Sequence, residues 1–346
     1  REEYVACASA LASGEASARE DLRIVLTAMH GVGAAITSRV LAEAGFTNVS
    51  LVAAQADPDP NFPTVPFPNP EEAGALDMAV EQAREQGADL VIAVDPDADR
   101  CALAVPDPAS ETGWSPLSGD QIGSLLGEFL AARGITGSLA NSIVSSRLLS
   151  RIARAHGLEH HTTLTGFKWI ARAPGLGFGY EEAIGFCPDP AHVRDKDGIA
   201  TSVVAASLVA ALKAQGRSVW DELERLARLH GLHVSSPLTF RVEEIEQIAS
   251  GMARLRAQPP SVLAGSPVVE VSDLSQGYRG LPPTDGVLVL TEAGDRVIAR
   301  PSGTEPKLKC YLEVILPVAE GEPLPWGQAR ERLDAIKGAF AEIIGL

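Results

Sequence analysis

The chain has 346 residues, with 29 Lys and Arg against 45 Asp and Glu, for a formal net charge of −16. That balance excludes wholesale electrostatic binding to nucleic acid or to an anionic membrane, and leaves room for a local basic pocket around a small anion. With 45% hydrophobic and 21% charged residues, the composition is that of a globular chain of two or three ordinary domains. No apolar run approaches the roughly 20 residues needed to cross a bilayer, and Arg1-Glu2-Glu3-Tyr4 carries no secretion signal. Cys7, Cys101, Cys187 and Cys310 are far apart and form no C-x-x-C pair, so neither disulfides nor a zinc site is expected and a reducing cytoplasm fits. The chain starts without Met on a charged, helix-forming stretch, which suggests a piece of a longer polypeptide.

The first block alternates strand and helix. Arg23 to Ala28 is a β-branched run closed by His30-Gly31-Val32-Gly33, and Ala34 to Ala44 has helical character. Asn48 to Ala53 predicts a second strand and Ala75 to Gln86 a second helix. Ala88 to Val94 is an apolar run of the kind buried in a parallel sheet. Between them, Asn61 to Pro70 carries four prolines and predicts an extended surface loop. This α/β block ends near residue 115.

A second α/β block follows from 116 to 232. Its expected elements are a helix over Gly119 to Arg133, a strand over Leu139 to Val144, a helix over Arg147 to His156 and a strand over His161 to Leu164. Helices dominate from Ile199 to Leu232. From 233 to 346 the pattern changes to α+β, with strands at His233 to Arg241, Val268 to Asp273, Gly286 to Leu290, Arg296 to Ala299 and Leu308 to Ile315. Glu243 to Ala257 and Gln328 to Ile344 are the amphipathic helices of that block.

Asp95-Pro96-Asp97-Ala98-Asp99-Arg100 follows the apolar run directly and so sits at the carboxyl end of a strand, the ligand side of a parallel sheet. Carboxylates at i, i+2 and i+4 in a loop can converge on one hard cation such as Mg²⁺, which prefers oxygen ligands. The trailing Arg100 can pair with a phosphate. An acidic solvated turn is the plain alternative, and the strand-end placement with Arg100 favours the metal.

Arg300-Pro301-Ser302-Gly303-Thr304-Glu305-Pro306-Lys307 has the composition of a phosphate cradle: Gly303 for close backbone approach, Ser302 and Thr304 as hydroxyl donors, and Arg300, Lys307 and Lys309 for charge. A polar hairpin turn is equally compatible with the loop alone. Three cations within ten residues of so acidic a chain favour the anion site. Glu181-Glu182, between Gly179 and Gly185, can accept hydrogen bonds from vicinal sugar hydroxyls, although taken alone the pair reads first as a solvated turn. Lys168 reads as a side chain with a buried stem and an exposed head. His30, His160 and His161 read as structural or exposed, and Asp197 as the N-cap of the helix that follows it.

In this order, Asp95 to Arg100, Gly166-Phe167-Lys168, Gly179 to Gly185 and Arg300 to Lys307 resemble the loops of the α-D-phosphohexomutase superfamily, the phosphoglucomutases and phosphomannomutases. Met29-His30-Gly31-Val32-Gly33, Phe62-Pro63-Thr64-Val65 with Pro68-Asn69-Pro70-Glu71-Glu72, and Asp195 to Gly198, a charged turn by its own composition, add to the likeness, which spans nearly the whole chain. It implies two consecutive α/β mutase-type domains, 1–115 and 116–232, and a C-terminal α+β domain of the TATA-binding-protein-like kind, 233–346. These would be the second to fourth of the family's four domains. The family's sugar loop reads Gly-Glu-Glu-Ser-Gly-His. Here Tyr180 precedes the two glutamates and Ala183-Ile184-Gly185-Phe186 follows them, a form similar to the phosphopentomutase-like branch. The family's Ser-His-Asn-Pro-like loop with its phosphorylated serine does not occur, so a missing N-terminal domain is expected to pack on this chain.

The resemblance implies transfer of a phosphoryl group between C1 and C6 of glucose or mannose phosphate, by way of an enzyme phosphoserine and a hexose 1,6-bisphosphate. Asp95, Asp97 and Asp99 would hold Mg²⁺, and Arg100 and Lys168 would act at the reacting group. Glu181 and Glu182 would grip the sugar, and Arg300, Ser302, Gly303, Thr304 and Lys309 would hold the second phosphate. The expected partner is a small sugar phosphate, with no nucleic acid and no membrane. Two alternatives remain open from sequence: a sugar-phosphate-binding protein without mutase activity, and a Mg²⁺-dependent sugar phosphatase using an Asp nucleophile in the Asp95 loop.

Overall fold

The apolar runs of the first block pair into one mixed sheet. In the computed structural model, which describes residues 1–302 and 306–345, helices α1 (Glu2–Ser9) and α2 (Ala16–Asp21) precede strand β1 (Arg23–Thr27). Helix α3 (Ala34–Glu43), β2 (Asn48–Leu51), α4 (Asp77–Gln86), β3 (Leu90–Val94), β4 (Cys101–Pro106) and β5 (Trp114–Pro116) complete the block. The strand order is β2-β1-β3-β4-β5. β1 runs parallel to β2 and β3, whereas β4 and β5 are antiparallel. Every residue of β3 is buried, as expected of a continuous apolar run. Gly87 ends α4 in the left-handed region at φ 58°, a conformation that suits a residue without Cβ. No strand or α-helix forms between Gln55 and Asp77, where the prolines remove backbone donors.

The second block opens on α5 (Gly119–Ala132), whose N-cap Ser118 forms a reciprocal capping box with Gln121. It continues through β6 (Ser138–Ser142), α6 (Leu148–Ala155), β7 (Glu159–Thr163), α7 (Phe167–Ile170), β8 (Leu176–Glu181) and β9 (Gly185–Cys187). The strand order is β7-β6-β8-β9, parallel except for the last pair. Helix α8 (Gly198–Ala214) buries 14 of its 17 residues and packs against α1, α2, α3, α5, β3, β4 and β9. A helix apolar on every side must be central, and this one ties the two sheets into one unit. Among the described residues no single helix is long and apolar enough to cross a membrane.

After α9 (Val219–His230) the chain forms β10 (Leu232–Arg241), α10 (Ile245–Ala257), β11 (Val262–Leu263), β12 (Ser266–Asp273), β13 (Val287–Thr291), β14 (Arg296–Pro301), β15 (Lys307–Leu316) and α11 (Trp326–Ile344). The six strands are antiparallel in the order β10-β15-β14-β13-β12-β11. Val289, Val297, Leu312 and Val314 of the sheet pack with Met252 and Leu255 of α10 and Ile336 and Phe340 of α11 in one core. This is the α+β arrangement expected of the C-terminal block.

By its contacts the chain divides into two compact units, residues 1–142 with 149–223, and 143–148 with 224–346. The expected strand to Val144 therefore stops at Ser142, and the expected helix from Arg147 starts at Leu148. The intervening residues belong to the second unit, where Ser146 Oγ and Arg147 Nε donate to the buried Glu313 carboxylate at 2.7 and 2.6 Å. Burial opposes ionisation of Glu313, yet Arg296, His233 and Arg147 hold its carboxyl well below the usual range.

Candidate functional site

The acidic loop leaves the end of β3 and turns back at Ala98, whose φ of 60° is left-handed although it is not glycine. This turn brings Asp95, Asp97 and Asp99 together, so that one oxygen of each lies within 4.8 Å of the others. Asp95 is 2% exposed. Arg100 donates to it twice, from its backbone N to Oδ1 at 2.9 Å and from Nε to Oδ2 at 2.6 Å. Burial raises the Asp95 carboxyl, the Arg100 hydrogen bonds oppose this, and Asp97 adds to the rise.

Three hard carboxylates suit Mg²⁺. Each carboxylate oxygen has about two acceptor directions, and Arg100 takes one on each oxygen of Asp95. Both oxygens being engaged and the group being buried, Asp95 is poorly placed as a nucleophile.

The loop is held from three sides. Val32 N donates to Pro96 O at 2.8 Å, and a Cβ on Gly31 would lie 2.3 Å from Pro96 Cα, so the His-Gly turn after β1 has to be glycine there. His30 is buried and bonds through Nε2 to Thr64 Oγ1 at 2.8 Å, which anchors the proline-rich loop rather than a metal. That loop in turn presents Asn69, whose Oδ1 lies 3.4 Å from Arg100 Nη1. Phe67 and Val32, 62% and 68% exposed, flank the same cleft.

The third side is the Glu181-Glu182 loop at the end of β8. Arg100 and Gly185 form an isolated antiparallel bridge, and Cys101 N donates to Ile184 O at 3.1 Å. The two loops are thus joined backbone to backbone. Ile184 is held at φ 54°, a strained position for a β-branched side chain and a mark of a turn fixed by its surroundings. Gly119 admits the Glu182 carbonyl where a Cβ would clash at 2.0 Å, and Ser142 Oγ donates to Glu182 Oε2 at 2.9 Å. Burial and the neighbouring Glu182 push the Glu181 carboxyl up to about 7. Tyr180, the departure from the family's loop, is fully buried, stacks between Phe178 and Phe186 and donates to Asp120 Oδ1 at 3.0 Å. It belongs to the core and does not reach the site.

Lys196 lies in the Asp195 to Gly198 stretch, which in the sequence reads as a charged turn and adds to the family likeness without giving Lys196 a role. Its Nζ lies 2.9 Å from Asp99 Oδ2 and 5.6 Å over the Phe167 ring. Burial would lower its ammonium, but the Asp99 hydrogen bond together with the Asp195 and Glu181 charges raises it. Its signal was a cation between two carboxylates, Asp195-Lys196-Asp197, just before a helix. Asp197 is the N-cap as expected, accepting from Ala200 N at 2.9 Å. Lys168, on α7, is exposed.

The candidate phosphate hairpin lies in the second unit. Arg300 and Lys309 are paired neighbours on β14 and β15, and Ser302 N donates to Lys307 O at 2.9 Å across the turn. Gly303 and Thr304 lie outside the described residues. Arg300, Ser302, Lys307 and Lys309 are thus brought to one end of one hairpin.

Three consecutive domain descriptions of phosphoglucomutase/phosphomannomutase match: the α/β/α domain II over residues 2–109, the α/β/α domain III over 118–229 and the C-terminal domain over 240–322. A probable phosphomannomutase of Haemophilus influenzae is 45% identical over 295 residues, which cover 85% of this chain and 60% of that protein. A phosphoglucomutase of Staphylococcus aureus is 34% identical over 325 residues, covering 86% and 58%. The chain thus spans about three fifths of the length of these curated relatives. Among solved structures, parafusin (phosphoglucomutase) from Paramecium in its open form superimposes with a TM-score of 0.73 at 18% identity, over 100% of this chain and 63% of that one. The matched domains run in the family's order across nearly the entire sequence, and the chain belongs to the phosphoglucomutase/phosphomannomutase family.

Proposed function

We propose that the complete polypeptide is a phosphohexomutase, interconverting the 1- and 6-phosphates of glucose or mannose. The observation that carries this is the joining of the Asp95–Arg100 loop to the Glu181-Glu182 loop, with Lys196 set against Asp99. A carboxylate triad for a hard cation thereby lies beside a pair of carboxylates suited to sugar hydroxyls. The protein would work in the cytoplasm, with the three-part division 1–115, 116–232 and 233–346 and a serine-bearing domain contributed by residues outside this sequence.

In this account Asp95, Asp97 and Asp99 hold Mg²⁺. When bound, Mg²⁺ offsets the negative charge on the phosphoryl group in transit between serine and sugar. Arg100, already fixed by Asp95, offers its remaining guanidinium N–H groups to that phosphoryl group. Lys196 supplies a second cation at the same place, and Lys168 a third. Glu181 and Glu182 accept from sugar hydroxyls, and because vicinal hydroxyls look alike from either side, they can hold the sugar in both orientations. Glu181, poised near neutrality, can also donate. Arg300, Ser302, Gly303, Thr304 and Lys309 hold the phosphate that is not reacting, and hexose 1,6-bisphosphate is the intermediate and activator. A swap of two phosphates through one reacting position requires such a separate clamp.

The test is turnover by the complete polypeptide of glucose 1-phosphate, mannose 1-phosphate and ribose 1-phosphate, with Mg²⁺ and catalytic glucose 1,6-bisphosphate. Conversion of a hexose phosphate supports the proposal, conversion of ribose 1-phosphate alone would move it to the pentose branch, and conversion of none would reject it.

A further inference from the structure

Residues 196–198 hold the two loops together. Lys196 Nζ reaches Asp99, Asp197 N donates to Phe186 O on β9 at 2.8 Å, and Gly198 N donates to Ala98 O at the turn of the acidic loop at 3.2 Å. Gly198 approaches so closely that a Cβ there would lie 2.3 Å from Arg100 O. The carboxylate at the centre of this tripeptide, Asp197, is 7% exposed. Besides capping α8 it accepts, on the same Oδ1, the hydroxyl of Tyr4 at 2.7 Å, from helix α1, 193 residues earlier in the chain.

We infer that Tyr4 is a positioning residue for the reaction: its hydroxyl fixes the Asp197 carboxylate, and through it the tripeptide that sets Lys196 between the acidic loop and the sugar loop. A helix cap needs only the acceptor oxygen, which Asp197 supplies without help. A half-buried hydroxyl from a distant helix on that same oxygen adds directional restraint, because two donors from different elements define where the side chain lies. The Lys196 backbone is bonded directly to that restrained residue. Lys196 has a long, freely rotating stem, so the placement of its Cα decides whether its ammonium lies at Asp99 or in solvent. The α1 helix carries no other residue of the proposed site; it packs on α3 and α8, and the Tyr4 hydroxyl is its hydrogen bond to the residue beside Lys196.

The inference rests on the phosphohexomutase reading, and its test separates the two. In the complete polypeptide with Mg²⁺ and glucose 1-phosphate, well below the unfolding temperature, Tyr4→Phe should lower kcat about tenfold, within the roughly hundredfold that a misplacement of about 1 Å can cost. In the Lys196→Ala background the same change should cost nothing further, since the residue being positioned is gone. A loss of equal factor in both backgrounds, or a kcat within about twofold of wild type, overturns the inference. An independent arm does not need turnover: acylation of lysines followed by mass spectrometry. Tyr4→Phe should raise labelling of Lys196 several-fold and leave the exposed Lys168 unchanged. Unaltered Lys196 labelling overturns the inference even if no sugar phosphate is converted, and failure of the wild type to turn over any sugar phosphate would reject the phosphohexomutase reading alone.

Discussion

Gly31 and Pro96 touch backbone to backbone: a Cβ built on Gly31 would stand 2.3 Å from Pro96 Cα and 2.5 Å from its carbonyl oxygen. The turn after β1 is therefore the floor on which the acidic loop rests. Gly31→Ala should push that loop outward, cost about 1–3 kcal/mol of stability as overpacking does, and weaken Mg²⁺ binding. Calorimetric titration with Mg²⁺ and urea unfolding in EDTA measure the two effects, and unchanged values in both would show that the contact yields freely.

Asp95 and Asp97 should separate by burial. Asp97 is exposed and makes no bond to Arg100, so Asp97→Asn should weaken Mg²⁺ binding while leaving stability in EDTA unchanged. Asp95→Ala removes the acceptor for two Arg100 hydrogen bonds and should cost about 2 kcal/mol as well as the metal. The contrast is read by performing both titrations and both unfolding curves on the two variants.

Glu181 predicts a pH dependence. Its carboxyl is raised in the folded protein to about 7, above its value of about 4.5 in an unfolded chain. The folded state therefore binds more protons between those values. The stability this confers is fully present below about 4.5 and is lost as pH rises through about 7. In EDTA, wild type should lose stability relative to Glu181→Gln between pH 5 and 8, and parallel curves for the two proteins would contradict the assignment.

Much of the fold was legible because strand and helix periods differ and because Gly and Pro punctuate them. Leu90–Val94, Gly119–Ala132 and Lys307–Leu316 sit close to where their apolar patterns place them. Short elements such as α2, α7, β5, β9 and β11 were not legible, since a few residues carry no period and form only where a neighbour supplies hydrogen bonds. The acidic triad was readable because all three carboxylates lie in one loop. The stretch Asp195 to Gly198 was noticeable, but the role of Lys196 was not, because it depends on Asp99 and Glu181, which reach it only when two sheets are joined through α8. Tyr180 shows the converse: a residue inside a site motif can belong wholly to the core.

Residues 146 and 147 escaped for a similar reason, since their partner lies far along the chain. Glu313, 1% exposed, collects Ser146, Arg147, His233 and Arg296 around one carboxylate. Glu313→Gln leaves two guanidinium groups without their counter-charge and should destabilise the second unit by about 3 kcal/mol or more. Urea unfolding followed by tryptophan fluorescence, with Trp326 on α11 as a local reporter, checks the value.

The fate of the phosphoryl group tests the whole account most directly. Phosphorus NMR of glucose 1-phosphate with the complete polypeptide, Mg²⁺ and a trace of glucose 1,6-bisphosphate should show glucose 6-phosphate growing at the expense of substrate. Inorganic phosphate should stay absent, and the conversion should be lost in Asp97→Asn. Accumulation of inorganic phosphate, or undiminished conversion by Asp97→Asn, would contradict it.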